Sequence, residues 1–302
     1  MIYLYTGDIS IDNNQNTVKD VDMEKISKFG DEEGVDCLIM EDTYDGKKHE
    51  DREEMIQQLL KTLKEKLENG GRCLIAAYAL GRTQELVSIL WNNRDKLGDT
   101  KIFVGGTAKF AYDVYRKHKV ELPSYSIVNI KMKGEKEEIN PKFYYLGNDT
   151  LGRKKFSFEK IKKAIFISSD GRISSNLKSQ SWILLQNLDP DKDFVISTGY
   201  LGDIKEITED PLNLTEKEIK NFLKNKKTKT KIEEFFYHYP LSAHADMSGL
   251  KKLVEKIKPK KVILIHRGHK NEQDLKLPEV ISKLGLGIET VVPKDREIVQ
   301  LI

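Results

Sequence analysis

Short apolar runs alternate with helix-period segments along this chain, and no other feature restricts its fold as strongly. The apolar runs fall at 2–5, 35–40, 72–77, 101–104, 164–168, 193–198, 261–265 and 297–302. Helical spacing is clearest at 51–68, where Met55, Leu59, Leu60, Leu63 and Leu67 recur on one face and Gly70-Gly71 ends the pattern. Further helices are expected at 82–92, in a stretch ending near 118, and at 174–186, 247–257 and 277–284. The segment after the first strand reads as a long polar loop, and 131–163 as a polar interval rich in Lys and Glu. Strands this short and apolar, separated by amphipathic helices, predict an α/β chain with a parallel sheet covered on both faces. Functional groups then gather at the carboxyl ends of the strands.

A chain of 302 residues exceeds what one core usually fills, so two domains, or one domain carrying an insertion, are expected. No run approaches the roughly 20 apolar residues of a membrane span. The N-terminus turns polar at Thr6-Gly7-Asp8, too soon for a secretory signal. Cys37 and Cys73 both sit in apolar runs and read as core filler, so a cytoplasmic protein with no membrane partner is expected. A net charge of +3 does not by itself announce a nucleic-acid binder. Residues 217–231 concentrate lysines at 217, 220, 224, 226, 227, 229 and 231, a stretch able to track phosphates. Its plainer reading is a solvated helix and hairpin tip.

Two histidines carry most of the chemical information. His244 lies in Leu241-Ser242-Ala243-His244-Ala245-Asp246, and His266 closes the apolar run Val262-Ile263-Leu264-Ile265. One helix and one strand separate them, which puts both imidazoles at the ends of short buried elements. Asp8 follows the first strand in Tyr5-Thr6-Gly7-Asp8, and Glu41 ends the second in Met40-Glu41-Asp42. Taken alone, an Asp after a Gly is more often a turn residue than a ligand, and Glu41 reads equally as a capping or surface acid. An Asp and a His on strand ends are nonetheless able to ligate a divalent metal. A carboxylate beside an imidazole fixes its orientation, as Glu41 would for His244. His49, His118, His238 and His269 read as structural or surface groups.

Five segments, in order, resemble the β-CASP branch of the metallo-β-lactamase fold, whose members process nucleic acids and include ribonuclease J and the pre-mRNA 3′-end endonuclease. They are Thr6-Gly7-Asp8, Glu41-Asp42-Thr43-Tyr44, the run from Ala79-Leu80-Gly81-Arg82 to Leu86, Ser242-Ala243-His244-Ala245-Asp246, and Ile265-His266. The resemblance covers nearly the whole chain. It implies a partial metallo-β-lactamase αββα domain in two pieces, 1–44 and 241–302, with a Rossmann-like β-CASP cap domain inserted at 45–240. It implies that Asp8 bridges two zinc ions, that His266 ligates one of them, that His244 contacts the scissile phosphate, and that Glu41 pairs with His244. Two metals and an imidazolium suit phosphodiester hydrolysis because all three neutralise charge growing on phosphate oxygens. RNA is the implied substrate, and a homo-oligomer the implied assembly. Arg82, Ser168, Ser169, Ser174 and Ser175 are the implied RNA contacts, and the lysines of 217–231 become better candidates than their local context suggests.

Departures from the family pattern set the functional expectation. The family's zinc signature, His-x-His-x-Asp-His, lies upstream of Thr-Gly-Asp, and none of the six histidines here forms a His-x-His pair. Asp8 and His266 fall short of the about four ligands that zinc takes. After His266 the family has Gly-Glu, whereas this chain has Arg267-Gly268-His269. The expectation is the C-terminal portion of a zinc-dependent ribonuclease, inactive alone and completed by an N-terminal polypeptide or a homologous nuclease subunit. The alternative is a non-catalytic RNA-binding or partner subunit of an RNA-processing complex.

Overall fold

The computed structural model describes residues 1–44, 46–118, 122, 126–127, 143–146, 161–169, 173, 179–199, 216–267, 276–294 and 296–301. In chain order its elements are β1 (Tyr3–Tyr5), α1 (Met23–Glu33), β2 (Cys37–Glu41), α2 (Arg52–Glu68), β3 (Arg72–Ala76), α3 (Arg82–Asn92), β4 (Lys101–Gly105) and α4 (Ala108–Lys117). They continue with β5 (Ser126–Ile127), β6 (Phe143–Leu146), β7 (Ala164–Ser168), α5 (Gln180–Gln186), β8 (Phe194–Ser197), α6 (Glu216–Asn225), α7 (Ile232–Phe235) and β9 (Phe236–His238). The last are α8 (Met247–Ile257), β10 (Lys261–Ile265), α9 (Lys276–Ser282) and β11 (Glu289–Val291). The chain divides into two compact units, residues 1–50 with 242–302, and residues 51–241.

The unit of residues 51–241 is built on seven parallel strands in the order β5-β6-β4-β7-β3-β8-β9. Its central strands are apolar on both sides because the core has two layers. Cys73, Ile75, Phe194 and Ile196 face one layer with the α2 leucines, while Leu74, Phe166 and Val195 face the other with Leu184 and Phe235. The stripe foreseen on α2 is buried in full, and each such leucine stabilises the fold by roughly 1.5–3 kcal/mol. Asp51 caps that helix by accepting from the Glu54 N–H at 2.8 Å. Gly71 allows a close approach, since a Cβ there would lie 2.2 Å from the Lys192 carbonyl. Cys73 is a free thiol in this core, and burial pushes its pKa well up.

The other unit holds four parallel strands in the order β1-β2-β10-β11. Leu38, Met40, Val262 and Leu264 pack with Leu250, Leu253 and Val254 of α8 and with Leu277 and Ile281 of α9. Two expectations need correction here. The polar loop after β1 contains α1, a helix with no fully buried residue, which is why apolar spacing does not reveal it. Its Gly30 lies where a Cβ would meet the Ile257 backbone at 3.1 Å, so α1 reaches α8 through the absence of a side chain. The strand expected at 297–302 is not one over the described residues 297–301. Lys294 and Glu297 close a turn there through bonds of 2.7 and 3.0 Å, Ile298 is exposed, and β11 forms the edge strand instead. Among the described residues no helix is long and apolar enough to cross a membrane.

Candidate metal and phosphate site

Four side chains from four separate segments converge in the unit of residues 1–50 and 242–302. One ligand-type atom from each of Asp8, Glu41, His244 and His266 lies within 4.8 Å of the others. Parallel pairing of β2 with β10 sets Glu41 opposite Ile265, so Glu41 and His266 leave neighbouring strands at the same level. Asp8 comes from the turn after β1, where Gly7 adopts φ +58°, a conformation that favours glycine. The backbone there is anchored by the Thr6 N–H donating to the Ile39 carbonyl at 3.0 Å. His244 sits in the loop before α8, whose N-cap Asp246 accepts from the Gly249 N–H at 2.9 Å.

The four groups form two carboxylate–imidazole pairs. His244 Nδ1 lies 2.6 Å from Glu41 Oε2, with Glu41 1% and His244 25% exposed. An ionised carboxylate only accepts, so this contact calls for the tautomer with the proton on Nδ1, which leaves Nε2 for other work. Glu41 Oε1 accepts from the Ile9 N–H at 2.7 Å, and Oε2 also accepts from the Thr43 hydroxyl. Both Glu41 oxygens are therefore engaged within the protein. His266 Nδ1 lies 2.9 Å from Asp8 Oδ1, and this pair is 55% and 65% exposed. The Thr43 hydroxyl stands between the pairs, 3.3 Å from His244 Nδ1 and 3.4 Å from His266 Nδ1.

As donors, this set fits a divalent metal of the zinc class. Nitrogen and carboxylate oxygen are ligand types that zinc accepts, and Asp8 and His266 keep exposed atoms close enough to reach one ion. Glu41 differs, because its bonds to Ile9, Thr43 and His244 make it a partner that orients the imidazole.

Other contributors carried no sequence signal. The Asn13 amide donates to the carbonyls of Ala243 at 3.3 Å and His244 at 3.1 Å, and Gln15 donates to Ser242 O at 3.2 Å. Together with the Ala245 N–H, which donates to Ile9 O at 2.7 Å, they hold the His244 loop. Thr43 was visible only as a member of its motif, and its bridging hydroxyl was not. Nothing in local spacing announces such contacts, which join residues more than 200 positions apart.

The remaining expected residues belong to the unit of residues 51–241. Ser168 ends β7, is fully buried, and accepts a 2.7 Å bond from the Ser181 hydroxyl. Ser169 follows it and accepts from the Thr107 N–H at 3.0 Å. Arg82 opens α3, half-buried, after Gly81 at φ +75°. Ser174 and Ser175 lie outside the described residues, as does His269. The lysines at 220, 224, 226, 227, 229 and 231 are exposed, and Lys226 bonds to Gln186 O at 2.8 Å. Among the other histidines, His49 packs its ring against Tyr44 at 4.5 Å, and His118 caps α4. His238 lies on β9, and burial lowers its pKa below the ordinary 6.5, helped by the Arg82 charge and opposed by a hydrogen bond to the Ser197 backbone.

Asp8, Glu41, His244 and His266 thus form a group of the donor types that a metal ion takes. Comparison with known proteins agrees: residues 231–276, which include the His244 loop and His266, match the family described as "Zn-dependent metallo-hydrolase RNA specificity domain". The chain is 31% identical over 301 residues to an RNase J-like protein of Methanocaldococcus jannaschii, covering 96% of this chain and 63% of that protein. It is 27% identical over 301 residues to cleavage and polyadenylation specificity factor subunit 3 of Dictyostelium discoideum, covering 97% of this chain and 35% of that protein. It is 29% identical over 247 residues to cleavage and polyadenylation specificity factor 73 of Drosophila melanogaster, covering 78% of this chain and 33% of that protein. The chain thus spans between a third and two thirds of the length of these relatives. These matches support a place for the chain in the β-CASP branch of the metallo-β-lactamase family.

Proposed function

We propose that this chain carries part of the active site of a zinc-dependent ribonuclease that hydrolyses RNA phosphodiesters in RNA processing or decay. The observation that carries this reading is the convergence of Asp8, Glu41, His244 and His266 within 4.8 Å. Asp8 and His266 are the residues that would hold metal. When bound, zinc supplies Lewis-acid neutralisation of phosphate charge. The chain's own contribution is His244, whose Nδ1 is fixed by Glu41 while Nε2 can donate to a phosphate oxygen when the ring is protonated. Thr43 and Ile9 hold Glu41 in place, so the imidazole does not have to be reoriented as charge develops.

In this reading residues 1–44 and 241–302 form the metallo-β-lactamase portion, and 45–240 form an inserted Rossmann-like cap. The compact unit at 51–241 and its parallel sheet support that division. Arg82, Ser169 and the exposed lysines of 217–231 are proposed RNA contacts, along with Ser168, Ser174 and Ser175. The names of the relatives, an RNase J-like protein and cleavage and polyadenylation factors, support RNA as substrate. Because Asp8 and His266 are the two outward donors among the described residues and zinc takes about four, the chain by itself is expected to be inactive. A complementing polypeptide or homologous subunit would supply the rest. A non-catalytic RNA-binding role is the second reading, favoured by the same shortage of donors.

The test is cleavage of an end-labelled RNA by the purified chain, with and without added zinc, alone and mixed with the N-terminal segment of the Methanocaldococcus relative. Cleavage in the mixture that is lost in His244→Ala and Asp8→Asn supports the first reading. RNA binding without cleavage in any mixture supports the second.

A further inference from the structure

We propose that Asp42 and Arg267 form a positioning pair for His266, holding its backbone in a left-handed conformation so that its imidazole faces Asp8 and Thr43. The proposal rests on the reading of His266 as a site residue and adds the device that aims it. His266 has φ +50°, a conformation that side chains other than glycine rarely adopt. Such a conformation persists only where the surroundings enforce it. Here the enforcement comes from one residue just past the end of the neighbouring strand β2.

Asp42 grips the chain on both sides of His266. Its backbone N–H donates to the Ile265 carbonyl at 2.9 Å, extending the β2–β10 pairing by one step. Its carboxylate Oδ2 accepts from Arg267 Nε at 3.0 Å. The other oxygen, Oδ1, accepts from the Gly46 N–H at 2.9 Å, which fixes the carboxylate against rotation. Asp42 is 1% exposed and Arg267 15%, so the pair is shielded from solvent and neither charge is readily left without the other. Residues 265 and 267 are therefore both tied to residue 42, and residue 266 arches between them. Asp42 is itself flanked by Glu41, which orients His244, and by Thr43, which approaches both imidazoles. One buried ion pair thus sets the separation of the two imidazoles, whose ring centres are 5.6 Å apart. The geometry needs an arginine, because the bond is made by Nε–H part-way along the side chain, where lysine has no donor.

The test is nuclear magnetic resonance of the histidine ring nitrogens in the metal-free, full 302-residue chain at one fixed pH. The variants are Arg267→Gln, Arg267→Lys and Asp42→Asn, with backbone amide signals of residues 51–241 as the control for folding. Arg267→Lys keeps the charge beside Asp42, so it remains informative if Arg267→Gln does not fold. The expected result is loss of the distinct His266 ring signals, which collapse toward those of an exposed imidazole, while the His118 and His238 signals stay in place. Unchanged His266 signals in a folded Arg267→Lys or Asp42→Asn chain would overturn the proposal and leave the pair a structural tie for the 42–46 loop. The readout involves neither metal nor RNA, so failure of the ribonuclease reading would appear in the cleavage assay and not here.

Discussion

The two halves of the site use the same chemistry, a carboxylate beside an imidazole, in opposite surroundings. Glu41 is 1% exposed and its partner His244 25%, whereas Asp8 and His266 are 65% and 55% exposed. Burial turns the first pair into a fixed unit, since every Glu41 oxygen is already engaged. Exposure leaves the second pair weakly coupled and able to accept an incoming ligand. Orientation and ligation are thus divided between two pairs that look alike in sequence.

The largest effect is expected from Glu41→Ala. It strips partners from His244, Thr43 and the Ile9 N–H, and should lower unfolding free energy by about 1–3 kcal/mol for each buried group left unpaired. Asp8→Ala should stay within about 0.5 kcal/mol of wild type, as exposed substitutions do. Urea denaturation of both variants checks this contrast, and equal losses would break it. Next in size, Thr43→Val removes the hydroxyl that reaches both pairs and should destabilise by about 1 kcal/mol, again read from urea melts. Metal binding should rank the pairs the other way round. In the complemented assembly His266→Ala should abolish zinc retention after dialysis, while Glu41→Gln weakens it about 10- to 100-fold as an outer partner does. Retention of zinc by His266→Ala would remove that residue from the ligand set.

The smallest effect concerns a third imidazole, His238, which is half-buried on β9. Burial lowers its folded pKa below 6.5, so the unfolded chain binds more protons near that pH. Its contribution to stability is then fully present above pH 6.5 and is lost as pH falls through the lower folded value. His238→Asn should flatten the acid side of the stability curve over that window. Thermal or urea melts at a series of pH values measure it, and an unchanged slope would show that His238 does not titrate differently on folding.

Much of the molecule was legible in the order of its residues. The stripe on α2, its stop at Gly70-Gly71 and the apolar runs of β3, β7, β8 and β10 are local patterns, and each shapes its element where the pattern lies. Two elements that escaped, α1 and β11, carry little local signal. α1 has no fully buried residue and docks through Gly30, and β11 is an edge strand without an apolar run of its own. The site behaves in the same way. Asp8, Glu41, His244 and His266 stand out because each ends an apolar run or interrupts a motif. Asn13, Gln15 and the Thr43 hydroxyl do not, because their meaning lies in a distant partner.

The sequence by itself determined the period of each segment, the burial of its apolar faces, the four chemically able side chains and the family motifs that contain them. Those properties depend on neighbours within a few positions, so they survive in one dimension. Only the tertiary structure decided that the four groups meet, that one pair is buried and the other open, and that Asp42 and Arg267 clasp His266 between them. Strand register and desolvation set those outcomes, because both arise only when β1, β2 and β10 come to lie side by side.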